Sequence, residues 1–235
     1  MKLSILIPVY DEEKTILLIL ERIKEIKLEI KKEVIIVNDG SKDSSKVMIE
    51  NFLKKNKSRK DIEWKFYSKV NGGKGSAIRM ALEHATGDLA IIQDADLEYK
   101  PEEIANLINQ LLKKESDVVY GSRILNRKNK TAYISYYFGN RFLSIVTSIL
   151  YGTPITDMET CYKLIPLKIF KELNISRNKF DIEPEITGKI LKKGYKIKEI
   201  PITYRPRSKE EGKKIGWIDG LQALWVLFSI RLKKI

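Results

Sequence analysis

Short apolar runs alternate with helix-period stretches through the first half of this 235-residue chain. Leu3–Val9, Val34–Asn38, Ile62–Ser68, Leu89–Gln93 and Val118–Gly121 read as strands. Between them lie helical stretches from about Glu12 to Ile26, after Ser44, over Lys74–Ala85, and from Pro101, a good first-turn residue. Strands apolar on both faces need cover on both, so the alternation predicts an α/β fold: a mainly parallel sheet flanked by helices. Ligands of such sheets bind beyond the carboxyl ends of the strands. Those ends carry Pro8-Val9-Tyr10-Asp11-Glu12, Asn38-Asp39-Gly40-Ser41, Asn71-Gly72-Gly73-Lys74-Gly75 and Gln93-Asp94-Ala95-Asp96, which should converge on one edge.

The second half is less regular. Residues 132–151 are aromatic and apolar, interrupted by Arg141. A helix is expected near Pro184–Lys193, a strand over Tyr195–Tyr204, a basic glycine-bearing segment over Arg205–Gly216, then an apolar C-terminal helix ending in Lys and Arg. No linker separates a second domain, so 1–235 reads as one domain.

The formal net charge of +13 favours acidic or phosphorylated partners. Cys161 is the only cysteine, which excludes an intramolecular disulfide and fits a reducing cytosol. The first strand follows Met1 at once, so no signal peptide is expected. The apolar runs near 142–151 and 221–230 fall short of the roughly 20 residues a membrane span needs, so no crossing is expected. With His84 as the only histidine, a Ser-His-Asp triad and an ordinary zinc site are poor prospects.

Asp94-Ala95-Asp96 carries the sharpest chemistry. Residues i and i+2 at a strand end point to one side, and two carboxylates there suit Mg²⁺ or Mn²⁺ shared with phosphate oxygens. A solvated acidic turn capping the Pro101 helix is the bland alternative. Asp39 is acceptor-only when ionised and suits the ring N–H of uracil or guanine, although Asp-Gly-Ser is also a common turn. The 71–76 segment offers backbone N–H groups, a helix N-terminus and the Lys74 ammonium to phosphate, or it is a flexible turn. It has neither Walker nor GxGxxG spacing. Arg123, Arg207, Lys213 and Lys214 suit phosphate, with a solvated basic tail as the alternative. The aromatic, basic-flanked stretches near 132–151 and 217–233 suit helices lying in an anionic membrane interface, or packing on the sheet or in a homo-oligomer. No nucleic-acid recognition motif is present, so that partner is not expected.

Together, the four strand-end motifs resemble the family-2 inverting glycosyltransferases, whose nucleotide-sugar-binding fold is named GT-A. The likeness spans about residues 1–125, which it implies form the nucleotide-sugar half, with 126–235 as the acceptor half. The second half looks most like the dolichol- or polyprenyl-phosphate sugar transferases, through Gly121-Ser122-Arg123, Asp157 to Lys163, and Ile200–Arg207. Cys161 stands where that group has glycine.

The resemblance implies that Pro8, Tyr10, Glu12, Asp39, Lys74 and Asp94 meet the nucleotide, and that Asp94 and Asp96 hold the metal. It implies that Arg123, Lys163, Arg207, Lys213 and Lys214 meet the acceptor or phosphates, with Asp96, Arg123 and Arg207 central to catalysis. The expected partners are a UDP- or GDP-sugar and a polyprenyl or dolichyl phosphate, met by a peripheral protein on the cytoplasmic face. A phosphate oxygen is already anionic near pH 7, so no general base is expected for it. A glycan hydroxyl would need one, with Asp157 or Glu159 as candidates.

Overall fold

The computed structural model describes residues 1–129, 134–207 and 216–233. Its strands are β1 (Lys2–Val9), β2 (Lys31–Asp39), β3 (Ile62–Lys69), β4 (Leu89–Ile92), β5 (Val118–Ser122), β6 (Lys163–Pro166) and β7 (Ile197–Pro201). They form one sheet in the order β3-β2-β1-β4-β6-β5-β7. All neighbours run parallel except at β6, which is antiparallel to both β4 and β5. The α/β, mainly parallel architecture therefore stands, with one reversed strand inside it.

The helices are α1 (Ile16–Glu25), α2 (Ser45–Lys55), α3 (Lys74–Glu83), α4 (Ile104–Leu112), α5 (Ile134–Tyr151), α6 (Leu167–Glu172), α7 (Ile182–Lys192) and α8 (Trp217–Leu232). A 3₁₀ turn over Pro101–Glu103 leads into α4. Helix α1 buries Ile16, Ile19, Leu20 and Ile23 on one stripe against the sheet. That spacing of three and four residues is what a helix needs to present one apolar face. The main core combines this stripe with β1 and β2, whose central residues Ile5, Leu6, Ile7, Val34, Ile35 and Ile36 are fully buried.

Two boundaries differ most from the sequence expectation. Helix α1 starts four residues later than Glu12, because the backbone N–H groups of Asp11, Glu12 and Glu13 donate to Ser41, Ser45 and Asp43. These bonds dock the turn onto the loop after β2 instead of opening a helix. Strand β7 is shorter than Tyr195–Tyr204, since beyond Pro201 the Thr203 N–H and hydroxyl turn to the Glu103 carboxylate. Strand β6 and helix α6 were not anticipated. A four-residue strand that begins on a lysine gives no apolar signal, yet Lys163 is fully buried.

At the end of the sheet opposite the loops of interest, Glu33 is fully buried and gathers Lys2, Ser4, Lys65 and the N–H and hydroxyl of Thr86. It ties β1, β2 and β3 to the turn before β4. A smaller core of Leu143, Ile155, Met158, Ala223 and Leu227 holds α5 against α8. Among the described residues no helix is long and apolar enough to cross a membrane.

Candidate active site

The carboxyl-end loops of β1 to β5 do converge. A cavity of about 1200 Å³ is lined by Pro8, Tyr10 and Glu12 after β1, Asp39 after β2, Asn71, Gly73 and Lys74 after β3, Asp94, Asp96, Glu98 and Tyr99 after β4, and Arg123 after β5. The 157–162 segment, which enters β6 from this same side, adds Glu159 and Cys161. Helices α5 and α8 complete the wall with Phe142, Leu143, Leu221 and Leu224. One cavity thus joins a charged end to an apolar end.

At the charged end, cations and carboxylates alternate. Lys74 lies 2.9 Å from Asp94 and 3.1 Å from Glu183 on α7. Glu183 in turn pairs with Lys163, whose ammonium also donates to the Thr160 carbonyl. Lys163 is therefore placed by the structure beneath the cavity and not in its wall, contrary to the expectation that it meets a phosphate. The reason is electrostatic: buried Glu183 needs a second cation, and Lys163 supplies it.

Arg207 reaches across the mouth. Its guanidinium donates to both Glu12 oxygens, at 2.9 to 3.2 Å, and to Asp96 Oδ2 at 3.0 Å. The segment leading to it is latched as well: the Arg205 and Arg207 N–H groups and the Tyr204 hydroxyl all donate to Glu98. Glu12, expected at the nucleoside, here holds Arg207. Lys213 and Lys214 lie outside the described residues.

Asp39 is buried and accepts from Lys69 at 2.7 Å and from the N–H groups of Gly72 and Gly73 at 3.0 and 2.7 Å. Of a carboxylate's roughly four acceptor positions, about one is left for a base. The same bonds revise the reading of the glycine loop. The Gly72 and Gly73 N–H groups go to Asp39 and that of Ser76 to the Asn178 carbonyl, so three of the segment's backbone donors are already engaged. Gly73 has φ +94°, and a Cβ there would meet the Asn178 carbonyl oxygen at 2.5 Å, so only glycine fits.

Arg123 makes a two-pronged pair with Asp157, at 2.8 and 2.7 Å, and stacks over the Tyr204 ring. Asn140 adds a bond to the same carboxylate. Burial raises the Asp157 carboxyl, but Arg123 and Asn140 outweigh it and hold the group below its ordinary value. Asp157 is thus fixed as a counter-ion. Glu159 is different: burial, offset only in part by Lys163, pushes it up to about 7, and its Oε1 has no hydrogen-bond partner.

The surroundings of the acidic pair suit a divalent cation. Burial and then the carboxylates of Asp94 and Glu98 push Asp96 up to about 7, even with Arg207 against it. Such a site has more negative charge than its cations neutralise, and a hard dication offsets that. Among the described residues no cluster of three or more ligating side chains exists, so further ligands would have to come from phosphate oxygens and water. The residues fit Mg²⁺ or Mn²⁺ on those terms.

Sequence reading missed Glu98, Glu183 and Lys179, which also line the cavity. Glu98 continues the i, i+2 series from Asp94 and Asp96 and was findable on that ground. Glu183 and Lys179 sit in stretches that look like any solvated helix start.

A mainly parallel sheet whose carboxyl edge holds paired carboxylates and facing cations is the arrangement of a GT-A glycosyltransferase. Residues 4–173 match the family model described as Glycosyl transferase family 2, and the chain belongs to that family. A dolichyl-phosphate beta-glucosyltransferase of Trichomonas vaginalis is 30% identical, with 92% of this chain and 69% of the relative covered. A UDP-N-acetylglucosamine–dolichyl-phosphate N-acetylglucosaminyltransferase of Methanococcus voltae is also 30% identical, with 98% and 96% covered. The fold matches glucosyl-3-phosphoglycerate synthase of Mycobacterium tuberculosis, solved with Mn²⁺ and UDP, at a TM-score of 0.71 and 16% identity over 97% of this chain and 79% of that one. TarS of S. aureus, solved with UDP-GlcNAc, gives 0.65 and 18% over 98% and 66%.

Proposed function

We propose that this glycosyltransferase moves a sugar from a UDP- or GDP-sugar to a polyprenyl or dolichyl phosphate, with inversion at the anomeric carbon. The observation that carries the reading is the single cavity, charged at Asp94, Asp96 and Arg123 and apolar at Phe142, Leu143, Leu221 and Leu224. An amphiphilic acceptor with an anionic head and a hydrocarbon tail matches both ends. The two relatives named for dolichyl phosphate, each near the full length of this chain, support it.

On this reading Pro8, Tyr10 and Asp39 flank the nucleoside. Asp94 and Asp96 would hold Mg²⁺ or Mn²⁺, which supplies Lewis-acid stabilisation of the departing diphosphate. Lys74, already fixed between Asp94 and Glu183, adds an oriented positive charge at no cost in reorganisation. Arg123, locked by Asp157, receives the acceptor phosphate in a set position. Arg207 leaves Glu12 and Asp96 to join the phosphates as ligands enter. The exposed apolar side chains of α5 and α8, among them Phe138, Ile149, Leu221 and Trp225, rest on an anionic membrane surface.

The test is transfer of radiolabelled sugar from a panel of nucleotide sugars to short-chain polyprenyl phosphate, with Mn²⁺ or Mg²⁺. Butanol-extractable label that vanishes with EDTA and in Asp96→Ala is the expected result. Metal-dependent donor cleavage with no label on the lipid, but label on a glycan hydroxyl, would overturn the acceptor assignment.

A further inference from the structure

The carboxylates around the cavity are almost all spoken for. Asp94 and Glu183 hold Lys74, Asp96 and Glu12 hold Arg207, Asp157 holds Arg123, and Glu98 takes Tyr204 and the Arg207 backbone. Glu159 stands apart: it lines the same cavity, and its shielded Oε1 has no hydrogen-bond partner. It makes no ion pair among the described residues. An unsatisfied buried carboxylate oxygen costs stability, and a fold retains one most readily where a ligand completes it.

A phosphate monoester has a second pKa of about 6 in water. Beside the Glu159 carboxylate, unpaired among the described residues, the dianion is disfavoured and a proton shared between the two groups is favoured, so the acceptor arrives holding its last proton. That proton must leave as the phosphate becomes a nucleophile.

We propose that Glu159 accepts this proton from the acceptor phosphate. The inference rests on the phosphate-acceptor reading. As a phosphate oxygen bonds to the anomeric carbon, the bond from that carbon to the diphosphate oxygen breaks. The electron pair leaves with the nucleoside diphosphate, which gains one negative charge. The acceptor becomes a sugar phosphodiester with a single charge, and the proton rests on the Glu159 carboxylate before passing to solvent. The groups acting on Glu159 set its affinity: Lys163 on β6 and Arg123 after β5 favour the anion, while burial, Glu183 on α7 and Asp157 favour the acid. Their balance leaves it near 7, matched to a phosphate proton.

The experiment compares citronellyl phosphate with citronellyl thiophosphate, whose last proton is more acidic, in the wild type and in Glu159→Gln. With the phosphate at pH 6.5, Glu159→Gln should lose roughly 10²-fold in kcat, the usual size of a proton-transfer contribution. With the thiophosphate, already ionised, the loss should shrink to within about threefold, inside the range of an ordinary contact change. The wild type alone should show an acid limb near pH 7 with the phosphate and none with the thiophosphate, a readout that survives if the variant does not fold. Equal losses on both acceptors, or none on the phosphate, would overturn the role of Glu159. A wild-type enzyme inert on both lipid acceptors yet active on a hydroxyl acceptor overturns the underlying acceptor reading, and is seen before any variant is made.

Discussion

Lys179 lines the cavity yet, unlike Lys74, Arg123 and Arg207, makes no ion pair among the described residues. It is the cation there with charge to spare for a diphosphate. Lys179→Ala should therefore raise KM for the nucleotide sugar about five- to tenfold and leave kcat nearly unchanged, the pattern of lost uniform binding in steady-state kinetics. Arg207 poses a different question, because its guanidinium occupies the Asp96 oxygen that a cation would use. Removing it as Arg207→Ala should tighten Mn²⁺ binding to the ligand-free enzyme, measured by the loss of free-ion EPR signal, while turnover falls. Weaker Mn²⁺ binding in that variant would mean that Arg207 supports the ion instead of competing with it. At this scale the sequence was legible where geometry is local. Asp94 and Asp96 both line the cavity, as their spacing led one to expect, although β4 ends at Ile92 and the pair sits in the turn beyond it. Lys163 was misplaced because its partner, Glu183, lies twenty residues away, and no spacing rule connects β6 to α7.

At the scale of elements, apolar runs announced five strands, and their loops met where the parallel-sheet rule puts them. What the pattern could not announce was recruitment by distant partners. The turn at Asp11–Glu13 is claimed by the loop after β2, and β6 is a strand only because β4 and β5 leave a gap for it. Glu33 is a similar case, a charge inside a run that otherwise reads as buried strand. Burial raises its carboxyl, but Thr86, Lys2 and Lys65 outweigh it and hold the group down to about 2. A depressed carboxyl stabilises the fold above its unfolded value near 4.5, and that contribution is lost as pH falls toward 2. Glu33→Ala should thus cost about 2–3 kcal/mol at pH 7, less than a fully buried pair because both lysines keep some solvent. Thermal melts should show the deficit shrinking as pH drops below about 4.5. Turnover per folded molecule should stay at the wild-type level, since Glu33 sits at the far end of the sheet. A large kcat loss would contradict this division of labour.

Over the whole molecule, charge and hydrophobicity are segregated in a way that suits a surface-bound enzyme. On the proposed reading, the net charge of +13 would draw the protein toward anionic lipid, and the exposed side chains of α5 and α8 would offer the apolar contact. Replacing Ile149, which is 79% exposed, and Trp225, 61% exposed, by serine should reduce sedimentation with phosphatidylglycerol vesicles severalfold. Transfer to a short, water-soluble acceptor should be unaffected. If binding persists in the double variant but is abolished by salt, the attachment is electrostatic and the apolar face serves another purpose. The helices themselves were expected from composition, whereas their joint exposure beside the cavity depends on the packing of α5 on α8 around Leu143 and Leu227.

The reversed strand works as a wedge. By sitting between β4 and β5 it sets their carboxyl ends two strand spacings apart, roughly 10 Å, where direct neighbours would be half that. The loop bearing Asp96 and the loop bearing Arg123 are held at that gauge, so the two charged loops are spaced apart instead of crowding one spot. Because β6 runs the other way, the stretch that fills the gap, 157–162, is its lead-in and not its exit. Only Lys163–Pro166 is committed to the ladder, with two register positions on each side. The lead-in is largely buried and bonded to both flanking loops, through Asp157 to Arg123, the Thr160 hydroxyl to the Gly121 carbonyl and the Tyr162 hydroxyl to Gln93, so the stretch that fills the gap also ties together the loops it separates.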